Sequence, residues 1–316
     1  MIQIMYQNVK TGAAHDITDL VSAATWRTQR SGAPASLEMT LLRDAAVQID
    51  HGGVVTVKSG GTGLFYGYVF KYSQSEKGEI QVTAYDQTRY LKNKETYVFT
   101  GVRADQIAAR LAADFGISTG QLQNTGYVIS SLVMDNKTLF DIVLTALDHT
   151  LVGTGELYYL WDDFGKLRIS NVRDTILPLA IGDGSLATGY TYTSDIDGDT
   201  ANRVKLVRDN KESGRRDVYV FQDSDNMQFW GVLQYFEKVD QELNSAQISE
   251  RGDNMLALKN RPTRSFDVNA IADLSVRAGR MVYCQFSEAG IGGWYIVDEC
   301  SQDLLKETMS LKMVMK

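Results

Sequence analysis

The strongest constraint on the fold is that apolar and polar residues alternate in short segments near both ends of the chain. Residues 37–41 and 80–84 read Leu-x-Met-x-Leu and Ile-x-Val-x-Ala. A period of two is typical of strands that bury one face. Turns rich in glycine and serine separate these segments at short intervals, as in small sandwiches and barrels. We therefore predict a β domain over residues 1–98.

The pattern changes to a helical period in the middle of the chain. Ile107, Leu111 and Phe115 recur every four residues, and residues 137–150 place a second apolar stripe on one face. We expect the second helix to be capped by Asp135 or Asn136 and to stop at Gly153. A hairpin over residues 157–170 follows, so we predict a small α+β domain over 99–185.

Strands return in the last third of the chain and predict a second β domain over 186–316, with a helical insertion near 238–262. The two β regions match at a fixed offset, because Gly53 and Gly67 are spaced like Gly279 and Gly293. We predict a mainly β fold with an α+β insert, in which two tube-like β-barrel domains are related by internal duplication. Chance similarity between two β regions is the alternative.

The charge and hydropathy of the chain exclude several classes of function. The formal net charge is −7, and no cluster of basic residues is present to displace the counterions of duplex DNA. No stretch of 18 apolar residues occurs, so no membrane insertion is expected. The first six residues alternate like a strand and do not resemble a signal peptide, so we expect folding in the host cytoplasm.

Candidate chemistry is sparse. The three histidines, His15, His51 and His149, have no metal-ligand spacing, and no Gly-x-Ser-x-Gly motif is present. Asp162 and Asp163 occupy a hairpin turn and are expected to act as turn formers. We therefore predict no catalytic, cofactor-binding or metal-binding residues and no cofactor, which indicates a protein that is not an enzyme.

The two cysteines are predicted to be buried and unpaired. A hairpin centred near Gly290 would place Cys284 opposite Ile296 and leave Cys300 roughly 13 Å along the sheet, at about 3.3 Å per residue. That separation is too great for a disulfide.

Two stretches of the chain resemble a known family. The segment from Leu64 to Phe70, together with Ala-Tyr-Asp-Gln-Thr-Arg-Tyr-Leu at residues 84–91, is similar to the XkdQ/YqbQ-like hub proteins of PBSX-type prophages. These are relatives of the hub of T4-like baseplates. The closing strands around Gly293 are similar too. The resemblance implies a structural baseplate hub of a contractile phage tail or tail-like particle.

The resemblance also implies a set of partners. Three chains would form a homotrimer whose six barrels match the sixfold tail tube above, while the threefold spike and other baseplate proteins dock below. The chain would reside in the virion or the tail-like particle. Nucleic acid would not bind stably, although DNA could pass through an acidic lumen.

Five residues carry the family motif: Gly67, Tyr85, Asp86, Arg89 and Gly293. Tyr85 and Asp86 are expected to fix the turn into the middle domain, and Arg89 to pair with Asp86. On this hypothesis, Asp86→Ala disturbs trimer assembly. A tail-associated cell-wall hydrolase and a carbohydrate-binding module remain as alternatives. The hydrolase would need a buried Glu or Asp acid, or a Cys/His or zinc site, and the binding module would need an exposed aromatic groove.

Overall fold

A computed structural model of the chain describes residues 2–210, 214–241 and 243–315. Within them the strands are β1 (Ile2–Gln7), β2 (Ala14–Asp16), β3 (Val21–Gln29), β4 (Ser36–Leu42), β5 (Val54–Ser59), β6 (Thr62–Gln74), β7 (Glu79–Tyr85), β8 (Lys94–Val102), β9 (Thr119–Leu122), β10 (Ile129–Thr138), β11 (Tyr158–Asp162), β12 (Leu167–Asn171), β13 (Ile176–Gly182), β14 (Ala187–Asp195), β15 (Arg203–Asn210), β16 (Arg215–Gln222), β17 (Gln234–Lys238), β18 (Thr263–Ile271), β19 (Met281–Phe286), β20 (Ile291–Asp303) and β21 (Thr308–Met315). The α-helices are α1 (Ala104–Asp114), α2 (Leu139–Thr154), α3 (Ser224–Trp230) and α4 (Ser245–Lys259). Met1, predicted to open the first strand, lies outside the described residues.

Thirteen of these strands form one continuous sheet. Its main path runs β14-β18-β21-β20-β3-β4-β7-β6-β5-β1-β2, and a branch adds β19 to β20 and β13 to β19. We expected two separate barrels. In the part of the chain that the structure describes, the path ends at β14 and β2 and no closed barrel is found. The mainly β prediction is confirmed, whereas the predicted closure is not.

Two sets of four strands within this sheet share one order. The first set is β4-β7-β6-β5 and the second is β18-β21-β20-β19. The long strand β20 pairs with β19 along its first half and with β3 over residues 299–303. Because β3 also pairs with β4, the pairing of β20 with β3 joins the two sets, and we call it the internal junction.

The glycines matched by sequence spacing do not occupy equivalent places. The Gly52 N–H donates to the Val69 carbonyl and the Gly279 N–H donates to the Val297 carbonyl, both at 2.8 Å. Gly52 and Gly279, with φ of 79° and 88°, therefore correspond, and the offset is 227 at this point rather than 226. Gly53 corresponds instead to Arg280.

The second glycine pair of the predicted match also differs in its register. Gly67 lies opposite Val55, whereas Gly293 lies opposite Cys284. The predicted position of Cys284 opposite Ile296 is thus wrong by three residues, because the hairpin turn lies nearer to residue 288. Both cysteines are free and buried, and burial raises the pKa of each thiol to about 12. The absence of a disulfide follows the prediction.

The middle of the chain combines α1 and α2 with two small sheets, the pair β8-β10 and the trio β11-β12-β9. The expected caps of α2 are wrong. Thr138 caps the helix by accepting the Asp141 N–H at 3.0 Å, because Asp135 and Asn136 still belong to β10. The helix runs through Gly153, which packs against Tyr127, and ends at a left-handed Gly155.

The strands at residues 203–210, 215–222 and 234–238 do not join the second strand set, where we had expected them. They form a separate sheet, β16-β15-β17, and α4 packs on it through Ile248 and Met255. The helical insertion near 238–262 is therefore only part of a larger insertion between β14 and β18. Asp195 and Thr263, at its two ends, lie opposite each other in the main sheet. No helix in the described ranges is long and apolar enough to cross a membrane.

Gly67 and Gly293 differ in the space that a side chain would find. A Cβ at Gly67 would lie 2.4 Å from the Tyr85 carbonyl oxygen and 2.5 Å from the Phe65 ring. A Cβ at Gly293 would meet nothing closer than 3.7 Å. We expect Gly67→Ala to lower the free energy of unfolding by about 1–3 kcal/mol through overpacking, and Gly293→Ala to change it by less than about 0.5 kcal/mol.

Urea unfolding of the two variants beside the original chain measures this difference. Equal losses in both variants would contradict the assignment of Gly67 as the sterically required glycine.

Candidate functional site

The candidate site is the junction where three parts of the chain meet, and it is built around Asp86. This residue follows the end of β7 and caps the 3₁₀ helix Gln87–Lys92. Its buried carboxylate accepts the Thr88 N–H at 3.0 Å and also the Thr88 hydroxyl hydrogen. Such a cap contributes about 1 kcal/mol to the local turn. Asp86 therefore directs the chain as it leaves the first strand set.

Gln87 connects this turn to the middle of the chain. Its Nε2 donates to the Asp162 carboxylate at 2.9 Å and to the Ser118 carbonyl at 3.0 Å. Its Oε1 accepts the Ser118 N–H at 3.2 Å. All three hydrogen bonds of this buried side chain thus cross the boundary between the first strand set and the middle region.

Asp162 is more than a turn former. One carboxylate oxygen accepts the Gly165 N–H at 2.8 Å, which agrees with the predicted turn, while the other accepts from Gln87. The side chain is buried, unlike that of the adjacent Asp163, which pairs with Arg168. Asp162 and Asp86 therefore place two carboxyl groups in the same buried region.

Arg277 brings the second strand set to this junction. It lies in the loop between β18 and β19, and one of its terminal nitrogens donates to the Asp162 carbonyl at 2.9 Å. Its guanidinium carbon lies 4.5 Å from the Trp161 ring centroid and 5.6 Å from that of Trp26. Because Trp26 is on β3 and Trp161 on β11, this cation joins its own loop to two other regions of the fold.

Burial raises the pKa of both carboxyl groups. For Asp86 the loss of solvent is the largest cause and the negative charge of Asp162 adds to it, so the pKa rises to about 7. Loss of solvent is also the largest cause of the raised Asp162 pKa, although hydrogen bonds from Gly165 and Gln87 to its carboxylate oppose the rise. Arg277 lowers both pKa values, yet no side-chain contact within ion-pair distance joins it to either carboxyl. The pair therefore retains a proton more readily than exposed carboxyl groups do.

The predicted pairing of Arg89 with Asp86 is wrong in this structure. The Arg89 guanidinium lies over the Phe70 ring, 5.2 Å from its centroid, and only the backbone N–H of Arg89 reaches the Asp86 carbonyl. Tyr85 contacts the same Phe70 ring edge-on, with centroids 5.6 Å apart. Tyr85 and Arg89 therefore belong to one aromatic cluster on the outer face of β6.

The five motif residues are only partly brought together. Tyr85, Asp86 and Arg89 lie at the end of β7, and Gly67 lies under the Tyr85 carbonyl. Gly293 lies on β20, in the other strand set. Reasoning from the sequence missed Gln87 and Arg277 altogether, and for Arg277 no local signal existed, because it lies 115 residues from its partner Asp162.

The site shows no cluster of metal ligands in the described part of the chain. Among the described residues, no group of three or more His, Cys, Asp or Glu side chains could hold a metal ion. A groove of about 620 Å³ crosses the internal junction, and it is lined by strand residues such as Arg27, Glu299 and Lys312. Asp86 and Asp162 do not line it. The buried carboxyl pair is thus placed for holding elements together.

Comparison of the structure with solved proteins defines the class of fold. A 43 kDa tail protein of prophage MuSo2 from Shewanella oneidensis matches with a TM-score of 0.72 at 14% identity, over 99% of this chain and 98% of that protein. The c3393 protein of E. coli matches with a TM-score of 0.56 at 8% identity, over 93% and 73% of the two chains. Its description reports similarity to T4 bacteriophage tail proteins gp27 and gp5. The fold is that of phage tail proteins.

Sequence comparison identifies the family within that class. The YQBQ-like family model matches residues 24–314. The Phage-like element PBSX protein XkdQ of Bacillus subtilis is 38% identical over 296 residues, which span 91% of this chain and 90% of that protein. This chain belongs to the YQBQ-like family, and the resemblance noted in the sequence is confirmed.

The raised pKa of Asp86 predicts a specific dependence of stability on pH. A carboxyl whose pKa is higher in the folded state stabilises the fold while it is protonated, and this contribution is lost as the pH rises through about 7. We expect Asp86→Asn to remove this loss and to keep the cap, since asparagine also accepts the Thr88 N–H.

The measurement is the free energy of unfolding at about pH 4.5 and about pH 8. The variant should gain roughly 2–4 kcal/mol relative to the original chain across this range, at about 1.4 kcal/mol per pKa unit. Asp19→Asn, at an exposed carboxyl, is the matched control and should follow the original chain. Parallel pH profiles for Asp86→Asn and the original chain would show that Asp86 titrates normally.

Proposed function

We propose that this protein is the structural hub of the baseplate of a contractile phage tail or tail-like particle. Three copies form a ring that adapts the sixfold tail tube to the threefold spike. Membership of the YQBQ-like family supports this proposal. So does the name of the XkdQ relative, which assigns that protein to the phage-like element PBSX. The third support is the fold, which is shared with phage tail proteins.

The observation that carries the proposal is the internal junction between two strand sets of the same order. A chain that presents two similar units side by side can present six units in a trimer. The equivalent hydrogen bonds of Gly52 and Gly279 support duplication as the origin of the two sets. We therefore propose two tube-like units in one chain, and their edge-to-edge pairing gives neighbouring units a defined geometry.

The proposed domains follow from this arrangement. Residues 1–98 and 186–316 supply the two tube-like units, and residues 99–185 form the α+β region between them. The exact limits differ by a few residues, because β8 starts at Lys94 and pairs with β10, while β13 pairs with β19 of the second unit. The tail tube protein docks on the ring from above, and the spike and other baseplate proteins dock below.

We further propose that the polar face of the main sheet lines the lumen of the ring. Across β3, β4, β7, β18 and β21, and in the second halves of β6 and β20, the side chains opposite the buried face are mostly small and polar. Five carboxylates and three cations lie among them: Glu38, Glu79, Asp267, Glu299 and Asp303, with Arg27, Lys71 and Lys312. A surplus of negative charge disfavours adhesion of DNA that passes through.

The proposed role is structural and not enzymatic. The carboxyl groups of Asp86 and Asp162, whose pKa values are raised together, are buried and hydrogen-bonded between elements, where no cell-wall substrate reaches them. The hub acts through its shape within the particle, and it requires no cofactor and no membrane anchor.

The mass of the assembled protein tests the proposal. We expect light scattering or native mass spectrometry of the purified chain, or of baseplates that contain it, to give three times the chain mass of 35.2 kDa. A chain that is monomeric both in solution and in the particle would refute the hub. Release of fragments from peptidoglycan by the purified protein would favour the hydrolase instead.

Substitution of Asp86 tests the link between the junction and assembly. Asp86→Ala removes the cap of the 3₁₀ helix, and we expect it to reduce the trimer fraction at a given concentration by a factor of about three or more. Asp86→Asn is the matched control and should assemble normally. Equal trimer fractions for the alanine and asparagine variants would show that the junction has no influence on assembly.

A further inference from the structure

We propose that two chains join through two named strand edges: the free edge of β14 in one copy pairs antiparallel with the second half of β6 in the next. This inference rests on the trimeric ring proposed above, and it names the strands that close the ring. The partner is a second copy of this chain.

The internal junction provides the template for this contact. In it, residues 299–303 of β20 pair with residues 25–29 of β3, and Ser301 lies opposite Arg27. The Arg30 N–H donates to the Asp298 carbonyl and the Leu304 N–H donates to the Ala24 carbonyl, each at 2.9 Å. The junction is thus a regular antiparallel pairing about five residues long.

In the first unit, β6 is the equivalent of β20, and the edge of its second half that faces away from β7 has no paired strand. β6 and β20 are both 13-residue strands, and each is interrupted against its neighbour at one residue, Phe70 in β6 and Asp298 in β20. Residues 71–74 of β6 therefore correspond to residues 299–302 of β20. In the described structure these residues pair with β7 alone, so their other edge is free.

The second unit offers the equivalent of β3. The register between β3 and β4 shifts at Ser22, which has no residue opposite it there, and the register between β14 and β18 shifts in the same way at Thr188. This alignment makes Tyr192 the counterpart of Trp26. β14 pairs only with β18 among the described strands and forms one end of the main sheet.

The burial of these two aromatic residues differs as the proposal requires. Trp26 lies inside the internal junction and is only 3% exposed, whereas Tyr192 on the free edge is 38% exposed. A long edge strand with exposed aromatic side chains and free backbone groups is a site for strand addition. A matching edge of a second copy would cover it.

If β6 of one copy pairs with β14 of the next in the register of the internal junction, residues of opposite charge face each other. Glu299 faces Gln29 in the internal junction, where the two side chains form a hydrogen bond of 3.2 Å. The corresponding residues are Lys71 on β6 and Asp195 on β14. The same transfer places Ser73 opposite Thr193. Opposite charges across paired strands are stabilising.

A second pair of polar groups matches in the same register. In the internal junction the Ala278 N–H donates to the Thr28 hydroxyl at 2.9 Å. The offset of 227 relates Ala278 to His51, and Thr28 corresponds to Ser194 on β14. In the described part of the chain neither the His51 N–H nor the Ser194 hydroxyl has a hydrogen-bond partner. The contact between chains supplies a partner for each.

Disulfide trapping tests the register. We expect the double variant Ser73→Cys, Thr193→Cys to form covalent dimers and trimers on mild oxidation, because facing residues lie within disulfide reach. Both positions are exposed and six strands of the sheet separate β6 from β14, so the link forms only between chains.

The matched control is Ser73→Cys, Ser265→Cys. Ser265 lies beside Thr193 on β18, one strand farther from the free edge, and thus roughly 10 Å from the partner's Ser73 at about 4.8 Å per strand. It should give little covalent product. Equal yields from the two double variants would overturn the proposed register.

Charge reversal gives an independent readout. Lys71→Glu places two carboxylates face to face and should raise the dissociation constant of the trimer about tenfold. Adding Asp195→Asn removes the repulsion, keeps an acceptor for the Asp197 N–H, and should recover most of the loss. No weakening by Lys71→Glu would count against the contact.

The experiments separate two failures. If the unmodified chain forms trimers but neither the cross-link nor the charge effect appears, the ring exists and closes through other strands. If the unmodified chain forms no trimer in solution or in the particle, the hub proposal itself fails, and this inference fails with it.

Discussion

The contact on which the rest of the structure depends is the position of the Arg277 guanidinium between Trp26 and Trp161. A buried cation is costly unless fixed groups replace its water. Two indole rings and the Asp162 carbonyl replace part of that water here, while the Arg277 Nε has no hydrogen-bond partner and burial lowers the pKa of the guanidinium. Because these groups come from the first strand set, the middle region and the loop before β19, one side chain sets their mutual positions. The carboxyl groups of Asp86 and Asp162 lie near the same cation, and their raised pKa values follow from sharing one dry site.

The continuous sheet complements this contact. Arg277 fixes the units at one point, while the pairing of β20 with β3 fixes them along five residues. Hydrogen-bonded strands do not rotate freely about each other, so the two units keep one relative orientation. The hydrogen bonds of Gln87 to Ser118 and Asp162 extend the same restraint to the middle region. Rigidity within the chain is what the proposed hub role requires.

Local patterns in the sequence predicted local elements well. Alternation predicted β4 and β7, and the four-residue period predicted α1 and α2. The failures all involve choices that distant residues decide. Thr138 rather than Asp135 caps α2, because β10 continues to pair with β8 up to the helix start. Arg89 turns to Phe70 instead of Asp86, because Asp86 is buried against Thr88 and Asp162. Gly53 and Gly279 match in spacing but not in register, since strand pairing follows hydrogen bonds and not residue counts.

The direct pairing of Asp195 with Thr263 has a consequence for how such chains diversify. Everything between these two residues enters and leaves the main sheet through one hairpin position. The insertion packs on the middle region through α4, whose Asn254 donates to the Val152 carbonyl, but no strand of the main sheet runs through it. Its size and surface can therefore change between relatives while the main sheet stays constant. One architecture can in this way be fitted to different neighbours by exchanging a single peripheral module.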